Sequence, residues 1–413
     1  MIRRVLEFVV RLAFAIASVR FTLETLRSPT TMLSGAAVGK STRSLVKRWL
    51  FRAVVLLAIG AIVGAAVVVT GIVPIKASSG HWSITEAFLQ FAKRRSVAAH
   101  SMLIAVPPLD DPRLVTAGAG HYDFACRPCH GSPALEQPRV ARQMLPRPPD
   151  LRKSGTRYDA EDLFYIVKHG IKLTGMPAWP ALQRDDEVWA VVAFLRKLPE
   201  LDASSYSQLA RGDHGSDDAG VPIEDLLGPS NVPRAVIESC GRCHGVDGLG
   251  RGFGAFPRLA GQRPAYLAGS MQAYARGERH SGMMEPVAAS LGPDEMQAIA
   301  DYYSRLPPGR AATAAPLEQD RERGRLIATQ GIPETLVPAC ATCHGPGTHR
   351  RNPSYPFLAG QYVEYIRLQL SLFKEDRRGG TAYRGIMRKI ASQLTPEQIR
   401  DVAAFYASLP GGS

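Results

Sequence analysis

Three five-residue stretches hold the residues best suited to chemistry: Cys126-Arg127-Pro128-Cys129-His130, Cys240-Gly241-Arg242-Cys243-His244 and Cys340-Ala341-Thr342-Cys343-His344. Each reads C-x-x-C-H, the attachment signature of a c-type haem. Two thiols three apart on a tight turn can each form a thioether to one haem vinyl group. The adjacent His then projects under the macrocycle and ligates iron. The chain has six Cys, and the three motifs use them all, so none is left for a disulfide framework. A redox C-x-x-C needs no following His. A zinc site pairing two such knuckles would strand the third motif and give the repeated His no role.

Three haem-bearing units of about 100 residues and an anchor fit a chain of 413 residues. Small units of this kind need little apolar core of their own, because a buried porphyrin supplies much of it. The net charge of +13 sits mostly at the front: residues 1–52 carry ten basic and two acidic side chains. The remainder is near neutral once roughly one negative charge per oxidised haem is included. No basic, aromatic-interleaved patch of the nucleic-acid kind is present, and no nucleic-acid partner is expected.

Elements must position the motifs. Residues 1–52 form a basic N-terminal segment, expected on the cytoplasmic side. Within it Val9 to Val19, broken by Arg11, is too short to span a bilayer. It reads as an amphipathic helix, or as a stretch ahead of a start at Met32. Ala53 to Ile75 is uncharged and almost wholly apolar between Arg52 and Lys76, which predicts a transmembrane anchor over 53–75. A cleaved secretory signal is the rival, but its apolar region is usually shorter and Ile75-Lys76-Ala77 is a poor cleavage site. Flanking charge barely orients the span. Covalent haem attachment, which takes place outside the bacterial cytoplasm, puts the bulk of the chain in the periplasm.

Residues 76–107 form a membrane-proximal segment. Ser83-Ile84-Thr85-Glu86 has the capping-box pattern, with Ile84, Phe88, Leu89, Phe91 and Ala92 on one side and Lys93-Arg94-Arg95 at the far end. That suits a helix on the membrane surface, or equally an ordinary packed helix. A first haem unit spans 108–200, with Asp111 as N-cap, Pro112 opening a short helix into Cys126, and a proline-rich loop from Pro146 to Leu151. A helix over 159–169 stops at Gly170, Thr174-Gly175-Met176-Pro177 follows, and a last helix runs from Asp185 to Leu198. Residues 201–230 read as a polar linker. The units 231–306 and 317–413, joined by the Pro/Ala-rich linker 307–316, repeat each other. Phe256-Pro257-Arg258-Leu259-Ala260-Gly261-Gln262 matches Tyr355-Pro356-Phe357-Leu358-Ala359-Gly360-Gln361, and Met284 and Met387 each stand seven residues before a Leu. The closing helices both begin with Pro and carry Tyr302-Tyr303 or Phe405-Tyr406.

Helix, C-x-x-C-H, loop, G-M-P and terminal helix over 108–200 resemble a class I cytochrome c domain. Residues 231–413 resemble the dihaem cytochrome c4 family through the L-A-G-Q loop, the Met before an A-x-x-L stretch and the final helix. The resemblance implies an all-α fold of three tandem class I cytochrome c domains behind the transmembrane helix, carrying three covalently bound haem c. It implies thioethers at Cys126, Cys129, Cys240, Cys243, Cys340 and Cys343. Iron ligands would be His130, His244 and His344, with Met176, Met284 and Met387 on the far side. Met283 competes with Met284, and the matched spacing to Leu291 and Leu394 decides for Met284. Bis-His ligation from His121, His169, His280 or His349 is the alternative. The family also has a loop proline carbonyl accepting from the ligating His, and Pro149, Pro257 and Pro356 occupy that place.

The expected function is that of a membrane-anchored electron carrier in a bacterial respiratory chain, not an enzyme. Its partners would be a membrane donor, and a terminal oxidase or other redox protein. The alternative is the trihaem subunit of a periplasmic dehydrogenase, taking electrons from a catalytic partner and passing them to quinone. A haem peroxidase or gas sensor would need a displaced distal Met.

Overall fold

The computed structural model describes residues 38–73, 76, 78–154, 158–212, 234–309, 317–345 and 351–411. The chain divides into two units, residues 1–76 and 77–413. Among the described residues it is helical throughout, without a β-strand.

The first unit contains one long helix, α1 (Val38–Thr70). Its stretch Val46–Thr70 has a mean hydropathy of 2.7 and none of it is buried. The helix covers 53–70 of the expected span. Gly71 adopts φ 63° and ends the helix, as a glycine beyond a helix C-terminus does. Lys47, Arg48 and Arg52 are good helix formers and continue the helix instead of bounding it. Val9–Val19 and Ile75 lie outside the described residues.

The second unit opens with α2 (Ser83–Ser101). The expected capping box does not form. The helix starts at Ser83 itself, with Trp82 as cap and Glu86 N–H donating to the Trp82 carbonyl at 2.9 Å. Its C-terminal half is packed: Val97 is buried, Ser101 Oγ donates to Asp162, and His100 stacks on Tyr165. Its N-terminal half is not, since Trp82, Ile84, Phe88 and Phe91 are all more than 60% exposed.

Three cores follow. The first is built by α3 (Pro112–His121), α4 (Ala160–His169), α5 (Asp185–Lys197) and α6 (Ala203–Arg211) around Tyr122, Leu163, Val191, Phe194 and Tyr206. Asp111 caps α3 as expected, accepting from Arg113 N–H at 2.9 Å. Helix α6 corrects the linker reading of 201–230. Tyr206 and Ala210, four apart, share one face and are buried, and Tyr206 Oη donates to buried Asp123 at 2.8 Å. The remainder of that stretch from 213 lies outside the described residues.

The second core joins α7 (Arg234–His244), α8 (Pro264–Ala275), α9 (Met284–Ala289) and α10 (Pro293–Arg305) through Leu267, Ile299, Ala300 and Tyr303. The third repeats it with α11 (Glu318–Gln330), α12 (Val363–Lys374), α13 (Arg384–Ser392) and α14 (Pro396–Ser408), around Ala328, Ile366, Val402 and Tyr406. Gly292 keeps only half a capping box, its N–H donating to the Glu295 carboxylate at 2.8 Å. Thr395 has both halves, with Gln398.

In the first and third cores a glycine sets the crossing of the opening and closing helices. A Cβ on Gly118 would overlap the Ala190 carbonyl, and one on Gly324 the Asp401 carbonyl. The neighbour is backbone in each case and cannot rotate away. Gly118→Ala should therefore destabilise the first core by roughly 1–3 kcal/mol, the usual cost of overpacking. Calorimetry on the full chain reads this as a lowered first transition, and an unchanged melt would show that the crossing has slack.

The second and third cores are joined reciprocally. Gln262 donates to Phe357 O at 2.9 Å and accepts from Phe357 N–H at 2.8 Å. Gln361 donates to Arg258 O at 3.0 Å and accepts from Arg258 N–H at 3.1 Å. Further along, His280 N–H meets Arg378 O at 2.9 Å while Gly380 N–H meets Glu278 O at 2.6 Å. Both glutamines close the repeated L-A-G-Q loops.

Candidate functional site

Each C-x-x-C-H ends in a glycine with φ between 72° and 78°, at Gly131, Gly245 and Gly345, which turns the chain sharply after the His. A tyrosine hydroxyl holds each turn by donating to that glycine's carbonyl: Tyr122 at 2.7 Å, Tyr303 at 3.3 Å and Tyr406 at 2.8 Å. The proline-rich loop then supplies the carbonyl that fixes the ring. His130 Nδ1 lies 2.8 Å from Pro149 O, His244 Nδ1 3.1 Å from Pro257 O, and His344 Nδ1 3.0 Å from Pro356 O. A carbonyl only accepts, so Nδ1 carries the proton and the Nε2 lone pair is the one available to a metal. Burial lowers the pKa of all three rings and favours the neutral, ligating form.

The thiols are equally committed. Burial pushes Cys126 up to about 12, and Cys240 and Cys340 up to about 11. In the folded chain these three are poor nucleophiles.

The second and third motifs share one cavity of about 620 Å³. It brings Cys240, Cys243, His244, Met283 and Met284 together with Cys340, Cys343, His344 and Met387. Met283 also packs against the first core, whereas Met284 opens α9. Cys126, Cys129, His130 and Met176 lie outside this cavity. Met176 sits in a braced turn, its N–H donating to Thr174 Oγ1 at 3.1 Å and its carbonyl accepting from Ile171 N–H at 3.2 Å. Gly170, at φ 65°, lets that loop close, since a Cβ there would fall 2.6 Å from Met176 O. Of the alternative donors, His121 is buried in the cavity wall between Trp179 and Phe256, and its Nδ1 has no partner. His169 rests on Tyr165, and His280 Nδ1 is 3.7 Å from Glu285. His349 lies outside the described residues.

Two buried arginines face the same cavity, a feature that the reading of the sequence missed. Arg279 reaches Tyr365 Oη at 3.1 Å and Tyr266 Oη at 3.4 Å, and Arg378 reaches Gln369 Oε1 at 2.6 Å and Tyr266 Oη at 3.4 Å. Neither has a carboxylate partner among the described residues. Burial would raise the Tyr266 phenol, but the two guanidinium groups outweigh it and hold its pKa below the ordinary value. Arg258 adds Nε and Nη2 atoms that are buried without a partner. Uncompensated buried cations call for anions, and a haem brings two carboxylates. Thiol pair, Nε2 donor, thioether, apolar wall and buried cations together fit the group that the motifs imply. The signal was present: Tyr266 and Tyr365, and Arg279 and Arg378, continue the same 99-residue offset as the L-A-G-Q loops.

The family model for cytochrome c oxidase, cbb3-type, subunit III matches residues 113–195, and that for cytochrome c matches 233–306 and 330–410. The thiosulfate dehydrogenase electron acceptor of Thiomonas intermedia (strain K12) is 35% identical over 172 residues, covering 42% of this chain and 79% of that protein. Cytochrome c4 of Thiocapsa roseopersicina is 31% identical over 172 residues, 41% of this chain and 86% of that protein. Among solved structures, reduced recombinant cytochrome c4 from Pseudomonas stutzeri is 28% identical with a TM-score of 0.39, covering 42% of this chain and 97% of that one. The chain belongs to the cytochrome c family: it is a multi-domain c-type cytochrome whose c4-like relatives are electron-transfer proteins.

Proposed function

We propose that the protein is a membrane-anchored trihaem cytochrome, with its three domains in the periplasm, carrying single electrons in a bacterial respiratory chain. The observation that carries this reading is the threefold recurrence of one arrangement: C-x-x-C-H, an Nδ1–proline carbonyl bond, and a methionine ahead of the closing helix. Haem c, bound through thioethers to Cys126 and Cys129, Cys240 and Cys243, and Cys340 and Cys343, supplies a reversible one-electron couple. His130, His244 and His344 offer the proximal nitrogen, oriented by the proline carbonyls. Met176, Met284 and Met387 offer a soft distal sulfur, which favours the reduced metal. Arg279 and Arg378 balance negative charge in the cavity shared by the second and third domains.

Helix α1 is the proposed anchor in the inner membrane. The exposed Trp82 capping α2 and Ile84, Phe88 and Phe91 on it, in a helix that also carries Lys93, Arg94 and Arg95, suit a lipid surface.

The donor class is suggested by the relatives named as thiosulfate dehydrogenase electron acceptors. We infer a periplasmic dehydrogenase as the electron source, with a terminal oxidase, another redox protein or the quinone pool beyond. This keeps the dehydrogenase-subunit reading alive beside that of a free carrier.

The test is a haem count per chain on protein purified from membranes, after denaturation and acid-acetone extraction. Three haems retained by the polypeptide are expected. Haem that extracts freely, or a count of two, would refute the proposal. Co-purification from the same membranes distinguishes the two partner readings, since a stoichiometric dehydrogenase subunit marks the second.

A further inference from the structure

The first domain touches the second at the loop that leads into Met284. Glu187, in the first turn of α5, is 6% exposed. Its Oε1 accepts from Ser281 Oγ at 2.6 Å, and its Oε2 accepts from Gly282 N–H at 2.7 Å and from Trp179 Nε1 at 3.0 Å. Arg184 completes the group, pairing with Glu187 at 3.0 Å and donating to His280 O at 2.6 Å. Two of these partners belong to methionine loops. Trp179 stands three residues after Met176, and Ser281 and Gly282 stand just before Met283 and Met284. Ser281 relays the contact, since its Oγ also accepts from Met284 N–H at 3.2 Å and from Met283 N–H at 3.4 Å. Gly282 permits the approach, because a Cβ there would overlap the Trp179 ring.

We infer that Glu187 is a positioning residue shared by two iron sites: one carboxylate of the first domain holds the Met284 loop of the second and the chain leaving Met176. The inference rests on Met284 as distal ligand. Its physical basis is that a buried carboxylate must have its lone pairs satisfied. The loop therefore stays in the one arrangement that satisfies Glu187, and the Met284 backbone is held through the Ser281 hydroxyl. A hydrogen bond to a charged group is worth more than a neutral one. The hold is consequently stronger than the loop's own turn would give. Docking of the first domain thereby sets how firmly the second iron keeps its methionine.

The experiment uses the full-length, haem-loaded protein in detergent and titrates imidazole against the weak near-infrared band of ferric Met–iron ligation. In Glu187→Gln and in Ser281→Ala, about one third of the band should be displaced at about tenfold lower imidazole, equivalent to about 1.4 kcal/mol. Ser281→Thr, which keeps the hydroxyl, should titrate like the parent. The double variant should go no further than either single one, because both cut the same relay. Glu187→Asp withdraws the charge by one methylene and repeats the test should the amide variant lose haem. An unchanged titration in folded Glu187 variants, or a shift with Ser281→Ala alone, overturns the inference. Failure of the underlying reading looks different: Met284→His would then leave the whole band in place, whatever Glu187 does.

Discussion

Replacing Met176, Met284 or Met387 singly by His should leave all haem attached and lower the potential of one haem only. The thioethers and the proximal His are untouched by these changes. Imidazole is the harder and stronger donor and stabilises ferric iron more than a thioether does. The fall should be a sizeable part of the roughly 0.8 V that axial ligation spans in haem proteins. The near-infrared band should shrink by about one third in each variant if the sites are independent. Met283→His should do neither, since Met283 packs against the first core. Potentiometric titration of the four variants decides the register. If Met283→His removes the band and Met284→His preserves it, the ligand of the second domain is the neighbouring residue. If none alters it, His121, buried with an unpartnered Nδ1, becomes the first alternative for the second domain.

Removing residues 1–76 and directing export by a cleavable signal should release the protein from the membrane fraction. The parent should need detergent, because Val46–Thr70 is an exposed helix of 25 residues that is uncharged and apolar from Ala53 onward, long enough to enter a bilayer core. The mature parent should begin ahead of Val46. A mature terminus near residue 77, with the protein released by salt, would make α1 a spent export signal. The truncated form should still bind anionic vesicles weakly through α2, and Phe88→Ser with Phe91→Ser should abolish that binding. Salt should weaken it as well, by screening Lys93, Arg94 and Arg95.

Much of the site was legible because it is local. C-x-x-C-H fixes thiols and imidazole within five residues, and the proline that accepts from each ring stands within 19 residues of it. What stayed hidden depends on distant partners. Glu187 closes the run Asp185-Asp186-Glu187, which by itself reads as acid favoured at a helix N-terminus. Nothing in that run announces Ser281, 94 residues on. Helix α6 was masked by composition, its Ser-rich sequence outweighing the Tyr206/Ala210 spacing that buries it. Charge was read as the boundary of the span, whereas the helix runs through Lys47, Arg48 and Arg52 and ends at Thr70. Helices tolerate Lys and Arg well, and only Gly71 with its positive φ stops the chain. The repeat in the second half was visible as a pattern, but not what it was for. Gln262 and Gln361 marked a family resemblance before the structure showed each of them clasping the other domain's backbone.

That clasp also orders events in time. Gln262 finds its partner 95 residues downstream, and Gln361 finds its own 103 residues upstream. A chain exported in sequence order delivers the second domain while the third is still on the far side. Until then Gln262 and the backbone of Arg258 are satisfied only by water, and the face that will carry them stays wet. Closure over such separations is slow compared with helix formation. The clasp is therefore the late step in assembling the tandem.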